Sequence, residues 1–431
     1  MKKTTPIVFV IAMALAANVV AQEQKTLSLS LTQAQDYAVE HNYTVRNAAL
    51  DVQKAEATKW KAISSMLPQV SGQFDYSNMC GYELNLGAMS IPMNPSGSLG
   101  ITTAIALTSS QIMGVVMSNI SKQMSDITLE KSDMTTRSSV KSVYVSILAM
   151  EEIVSLLDSS LANIQRLHRM TEESVRAGAA EQISADKLAV QVASMQNTIR
   201  ANRRSLTMLY NTLLLQLGAD VDSKLQLTTK MDEILNIDRA AQLTMGTFDK
   251  TRNYDYQLLE QSEQLSQKQV TSAWLGFTPT LSVYHQYSYK TYFGKSEGMN
   301  MTPPNMIGAS LSLPIFQSGS RAAAIREAKI NHQETLNSKQ QAEDGLAVQY
   351  NQLCYDLVSA IESYRLQRTN LEVTQRVLEN TSNKYRHGHA SNLEVTNAST
   401  DIITAQSNYI QAVMNVISAQ VSLEQLLGKQ E

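Results

Sequence analysis

Long apolar runs are nearly missing from this 431-residue chain, and proline, cysteine and phenylalanine are scarce. Beyond the N-terminus no segment approaches the roughly eighteen consecutive apolar residues that a membrane-crossing helix needs. Any residence in a membrane must therefore be achieved with β-strands, the other structure that satisfies its own backbone hydrogen bonds in lipid. The two cysteines, Cys80 and Cys354, lie in a Gly-rich loop and a helical stretch. A disulfide between them is open to an exported chain, but two cysteines make no framework, and the favoured reading is two free thiols. Six Phe and eight Pro stand against abundant Gln, Ser, Ala, Asn and Thr, which suits long, narrow helices better than a thick globular core. Enzyme signatures are missing too: there is no HExxH, Walker loop, GxSxG or CxxC. Acidic pairs such as Glu151-Glu152 and Glu172-Glu173 fall in helical stretches, where solvated charge is the ordinary explanation.

What is present begins with an export signal. Lys2-Lys3, an apolar run from Ile7 to Ala17 and the small residues Val19-Val20-Ala21 read as a signal peptide over residues 1–21, with maturation at Gln22. Its loss takes the formal net charge from −3 to −5, and that mild acidity speaks against nucleic acid as a partner.

The mature chain is duplicated. Asn42-Tyr43, Ala62, Pro68, Ser71 and Tyr76-Ser77 return as Asn253-Tyr254, Ala273, Pro279, Ser282 and Tyr287-Ser288, all at an offset of 211. Arg176, Gly178, Ala180, Leu213, Leu217 and Gly218 return as Arg386, Gly388, Ala390, Leu423, Leu427 and Gly428, at 210. The expected organisation is a first repeat over 22–219, a connector over 220–238 and a second repeat over 239–431.

Each repeat carries a stretch far longer than the helices of compact domains. From Gln111 to Val175 there is no Pro, and two apolar series recur every seven residues: Val140, Ile147, Val154, Leu161, and Val143, Met150, Leu157, Ile164. That spacing predicts a left-handed supercoil against a partner helix. About 65 such residues would span roughly 100 Å. The second repeat answers from about Gln317 with Leu371, Leu378 and Tyr385. Shorter helices are expected near 31–66, 182–217, 239–275 and 390–427. From the helices alone, a periplasmic coiled-coil scaffold or adaptor without a pore is an equal alternative.

After Pro68 the period changes from seven to two. Val70, Phe74 and Tyr76 alternate with Gln69, Ser71, Gln73 and Asp75; Leu99, Ile101, Ile105 and Leu107 alternate with small residues. In the second repeat Leu281, Val283, His285, Tyr287 and Tyr289 alternate with Thr280, Ser282, Tyr284, Gln286 and Ser288, and Ile307, Ala309, Leu311 and Leu313 with Gly308, Ser310 and Ser312. These runs have the nine to eleven residues or so that a tilted strand needs to cross a bilayer. The apolar face is free of Asp, Glu, Lys and Arg, and Tyr76, Tyr82, Tyr287, Tyr289, Tyr292 and Phe293 gather toward one end like an aromatic girdle. A soluble sandwich sheet would alternate similarly, and His285 is out of place on a lipid face. Four strands cannot close a barrel, so a lipid-facing sheet demands oligomerisation.

Taken together the chain resembles the TolC-type outer membrane efflux protein family, the outer membrane factors of tripartite export systems. The residues that carry the likeness are Leu67-Pro68, Leu311-Ser312-Leu313-Pro314-Ile315-Phe316 before Gly319-Ser320-Arg321, Tyr385-Arg386-His387-Gly388, and Leu393 with its helix to Leu426-Leu427-Gly428. The resemblance implies a mainly α fold with a β-barrel part: a homotrimer whose twelve strands close a barrel in outer-membrane lipid and whose long helices form a periplasmic tunnel. It also implies a periplasmic adaptor and an inner-membrane pump as partners, no cofactor and no catalysis. One departure is Leu107-Thr108-Ser109-Ser110 where the second repeat has Leu313-Pro314-Ile315-Phe316.

By the same resemblance the periplasmic gate maps to Tyr385, Glu394 and Asn397, with Asn397 at the family's second acidic position and Ala390 at its arginine. Three copies of Glu394 would form a cation-favouring ring; the alternative is a solvated surface acid. The turns Ala177-Gly178-Ala179 and His387-Gly388-His389 resemble the tips that meet the adaptor. Two His without a third ligand make no metal site.

Overall fold

The structure, a computed structural model, describes residues 26–85, 87, 90–293, 303–387 and 389–428; the proposed leader 1–21 lies outside them. In chain order the first repeat contributes β1 (Thr26–Leu29), α1 (Leu31–His41), α2 (Tyr43–Ser64), β2 (Gln69–Ser77), β3 (Glu83–Asn85), β4 (Ser90–Pro92), β5 (Ser96–Leu107), α3 (Ser109–Arg176) and α4 (Gln182–Leu217). The connector holds β6 (Lys224–Leu227) and α5 (Met231–Ile234), and α6 (Ile237–Leu243) crosses its end. A 3₁₀ turn (Lys250–Arg252), α7 (Tyr254–Leu275), β7 (Thr280–Tyr292), β8 (Asn305–Ser312), α8 (Ser320–Arg386) and α9 (Asn392–Leu426) follow. No helix among the described residues is long and apolar enough to cross a membrane. Two compact units result: one of residues up to Asn42, Thr136–Ala241 and Ser359–Val421, the other of Tyr43–Thr135, Gln242–Val358 and the residues from Ser422 on.

The core of the first unit follows the heptad pattern. Val140 and Ile147 of α3 are fully buried with Ala34 and Ala38 of α1 and Leu213 and Leu217 of α4. Tyr144, also fully buried, lies outside both heptad series, and its hydroxyl explains its place. It donates to the Leu29 carbonyl at 3.1 Å and accepts from the Thr228 and Thr229 amides at 3.2 and 3.1 Å. These bonds close the end of a small parallel sheet that sequence periodicity does not reveal, in which β1 pairs with β6, Thr26 opposite Lys224 through Leu29 opposite Leu227. The connector is thus tied into the first unit by a strand. A phenol left without partners at such depth would cost about 1–3 kcal/mol; here every lone pair and proton is used.

The second unit is organised by one antiparallel sheet in the order β2-β5-β7-β8. Its register is continuous: Gln69 faces Ala104, Ala104 faces Tyr284, and Tyr284 faces Gly308. The handover after Leu107 is a capping box: the Thr108 amide donates to Gln111 Oε1 at 2.9 Å, and the Gln111 amide to Thr108 Oγ1 at 3.1 Å. Pro92 ends β4, which forms a small hairpin with β3. A proline at the margin of a two-stranded ribbon blocks no ladder bond that the fold needs. Two expectations are corrected. The helix expected over 31–66 breaks at Asn42, and the one expected over 239–275 resolves into α6, the 3₁₀ turn and α7.

The breaks explain the duplicated motifs. Asn42 caps α1 and its Nδ2 donates to the Gln216 carbonyl at 2.7 Å; Asn253 caps α7 and its Nδ2 donates to the Leu426 carbonyl at 3.0 Å. The glycines close the same joints. Gly218 and Gly428 both have positive φ, and a Cβ would stand 2.5 Å from the His41 oxygen in the first case and 2.2 Å from the Arg252 oxygen in the second. Each repeat therefore docks the end of its last helix on the cap of an earlier one through Asn and Gly.

Gly428→Ala should lower the thermal midpoint, with a cost of about 1–3 kcal/mol from strain and clash. Gly345→Ala, on a helix surface with nothing within 4 Å, should raise it, by about 0.4–1 kcal/mol. Melting the wild-type protein and both variants checks this; equal shifts of the same sign would refute the docking account.

Candidate functional site

The sheet presents two chemically different faces. One bears Val70, Phe74, Tyr76, Leu99, Ile101, Leu281, Val283, Tyr287, Tyr289, Ile307 and Leu311, all exposed, with Ile307 at 79% and Phe74 at 74%. Fully burying one such side chain is worth about 1.5–3 kcal/mol. Leaving eleven of them in water forfeits an amount comparable to the ~5–15 kcal/mol that holds a domain folded. The other face carries Gln69, Ser71, Gln73, Thr102, Ser282, Gln286, Ser288 and Ser310, small or polar, and along β7 these positions are the more shielded ones. The apolar face holds no Asp, Glu, Lys or Arg among the described residues of the four strands, and such a charge would cost roughly 2–4 kcal/mol at a bilayer midplane. His285 stands there between Thr103 and Ile307. The aromatic end is packed: the Tyr76 and Phe293 ring centroids lie 6.2 Å apart, and the Phe293 amide donates to the Pro95 carbonyl at 2.7 Å. β2 and β8, the outermost strands of the order, each keep one edge without a strand partner among the described residues.

The second candidate region is where the long helices turn. After α3 the Ala179 amide bonds to the Ser174 carbonyl at 2.8 Å and Gly178 takes φ +73°; after α8 the His389 amide bonds to the Lys384 carbonyl at 2.8 Å. Both are six-residue closures of the Schellman kind, with a left-handed residue at Gly178. Ala177, Gly178, Ala179, His387 and His389 are exposed; Gly388 lies outside the described residues. His387 Nδ1 sits 2.9 Å from the Asn383 carbonyl, and no His/Cys/Asp/Glu group suited to a metal occurs among the described residues.

Tyr385 and Glu394 turn out to differ in kind. Tyr385 packs, partly buried, against Ile164, Leu167, Leu188 and Val395. Glu394 and Asn397 are exposed on α9. The Glu394 carboxylate accepts from the Ser391 amide at 2.6 Å and the Ser391 hydroxyl at 2.8 Å, while the Glu394 amide donates back to Ser391 Oγ at 3.2 Å. These bonds from Ser391, amide first, hold the carboxyl below the usual carboxylate range. Ser391 is not among the residues that the resemblance assigns to the gate, although Ser-x-x-Glu before a helix is a readable cap signal. Its counterpart before α4 is Glu181, whose side chain makes no cap bond.

Comparisons with known proteins agree with this geometry. Residues 250–429 match the family of outer membrane efflux proteins. Over 305 residues, 67% of this chain, it is 21% identical to the probable efflux pump outer membrane protein TtgC of Pseudomonas putida. The chain spans about 60% of the length of that relative. Among solved structures, CusC, described in connection with transmembrane channel formation, superposes with a TM-score of 0.77 at 18% identity, covering 93% of this chain and 92% of that one. The outer membrane channel CmeC of Campylobacter jejuni gives 0.77 at 15% identity, over 92% and 85%. This chain, with its long helices joined to a four-stranded sheet, thus shares its fold with these two structures.

Ser391→Ala should speed amide exchange in the first turn of α9, with a local loss of about 0.5–2 kcal/mol. Glu394→Gln, which keeps an acceptor oxygen, should stay close to the native rate. Because the folded carboxyl titrates low, its contribution is complete above the usual carboxylate range and fades as pH falls through the lowered value. Exchange read by mass spectrometry from neutral to acid pH tests both; an unchanged rate in Ser391→Ala would dismiss the cap.

Proposed function

We propose that this chain, in which residues 250–429 form an outer membrane efflux protein domain, is one subunit of a trans-periplasmic export duct in the outer membrane. Three copies of the four-stranded sheet close a twelve-stranded barrel whose apolar face meets lipid and whose polar face lines water. The long helices continue it as a tunnel through the periplasm, which a periplasmic adaptor joins to an inner-membrane pump. The duct does no chemistry of its own; it conducts small molecules or proteins chosen by the pump. The observation that carries this reading is the exposed apolar face on a sheet whose two edges have no strand partner among the described residues. A soluble scaffold would have to leave that face in water and those edges unpaired.

In the same reading the turns at Ala177–Ala179 and His387–His389 meet the adaptor, and Tyr385, Glu394 and Asn397 shape the periplasmic end of the duct. Tyr385 does so by fixing the packing under the turn. Glu394 and Asn397, three residues apart on one face of α9, present their polar ends to its surroundings.

The protein should fractionate with the outer membrane, need detergent for extraction, and run as a heat-modifiable oligomer of three copies. Recovery from the soluble periplasm without detergent would sink the duct. In planar bilayers Glu394→Gln should weaken block by divalent cations while keeping the helix cap, and Asn397→Asp should strengthen it. If neither variant alters conductance or cation response, these residues have no part in the pore.

A further inference from the structure

One contact within the sheet has a geometry that bears on the width of the pore. Tyr284 points to the small, polar face, as its register between Ser282 and Gln286 requires. Its cross-strand neighbours are Ala104 on β5 and Gly308 on β8. The ring lies flat over Gly308: a Cβ at that glycine would stand 2.5 Å from the ring Cζ, 2.6 Å from the hydroxyl oxygen and 2.7 Å from Cε1. No real Cβ could share that space, so the ring occupies the room that a side chain at 308 would need. Along the described strands the other aromatic on this face is Tyr292, at the end of β7. Tyr284 thus sits partway along the face, in a row that otherwise holds Gln69, Ala104 and Gly308. The corresponding pair of the first repeat, Gln73 opposite Gly100, shows no such intrusion; there a Cβ would meet only backbone oxygens, at 3.9 and 4.0 Å.

We propose that Gly308 is a width-determining position of the duct: by leaving a recess in the wall it lets Tyr284 lie flat, and so keeps three aromatic rings out of the lumen. The inference rests on the duct reading, since only in a closed barrel does the polar face become a lumen. A side chain at 308 displaces the ring. The sheet blocks movement outward and the Ala104 methyl stands on the far side, so the ring rises into the pore. Three copies raised at one level narrow the passage, and pore radius at a constriction governs which solutes pass. Tyr284 is a gatepost held against the wall, not a binding group.

A double-mutant cycle separates this from a merely structural role. Single-channel conductance and the uptake of bulky solutes would be compared for the full-length protein and for Gly308→Val, Gly308→Ala, Tyr284→Ala and Gly308→Val/Tyr284→Ala. Only variants that still form the heat-modifiable oligomer would be scored; Gly308→Ala supplies the milder displacement should valine prevent assembly. The expected result is a loss of conductance and of large-solute uptake in the Gly308 variants, little change in Tyr284→Ala alone, and restoration in the double variant. Native conductance in assembled Gly308 variants, or a loss that removing the Tyr284 ring does not restore, would overturn the proposal while leaving the duct intact. A wild-type protein that forms no channel would instead overturn the duct reading, and this inference with it.

Discussion

The hydrogen-bonding demand of its edges is the constraint that governs the four-stranded sheet of the second unit. Within the order β2-β5-β7-β8 each inner strand is paired on both sides, whereas among the described residues β2 and β8 each keep one row of donors and acceptors without a strand partner. In water such rows would be solvated and merely prone to aggregation; in lipid every unsatisfied group costs several kcal/mol. The exposed apolar face makes water the wrong solvent and the open edges make lipid impossible for one copy. In the proposed duct both conditions are met together, because identical sheets meet edge to edge. In that reading the quaternary state is not an addition to the fold but the condition under which its central element can exist.

The duplication supplies parts that fit that condition. A hairpin flanked by helices, made twice, gives two hairpins whose inner strands pair, β5 with β7, over twelve residue positions. It also repeats the joints that hold the helices. Asn42 with Gly218, and Asn253 with Gly428, form equivalent docks, an amide donating to a terminal carbonyl and a glycine admitting a backbone oxygen. Packing of this kind tolerates wide change elsewhere in the helices. That is why the repeat survives in sequence as punctuation and hardly at all as composition.

The same physics decides how much could be read without coordinates. The long helices and four strands were legible because period seven and period two are strong, redundant signals: α3 runs from Ser109 to Arg176 where a helix was expected from Gln111 to Val175. The break at Asn42 was not, because one capping amide interrupts a pattern that remains apolar on both sides. Nor was the sheet of β1 with β6, whose four-residue strands are too short to show a period and are joined by pairing across the sequence. At the candidate site, the turns and the exposed face were legible; the partners of Glu394 and the recess at Gly308 were not. Both depend on a local geometry, a hydroxyl three residues away and a ring across a strand, that residue type alone does not announce.

The two repeats diverge where a duct would need unequal parts. Ser391 and Glu394 form a reciprocal cap before α9, while Glu181 and Ser184 stand at the equivalent places before α4 and Glu181 makes no side-chain cap bond. Tyr284 over Gly308 belongs to the second repeat, and its counterpart Gln73 opposite Gly100 leaves the wall open. A trimer of duplicated chains has six similar halves, and if the halves were alike any ring they formed would be sixfold. In the proposed trimer, confining the cap and the aromatic recess to one repeat would make both rings threefold. In the proposed duct the divergence of the repeats thus sets three carboxylates at one level and three rings laid back against the wall at another.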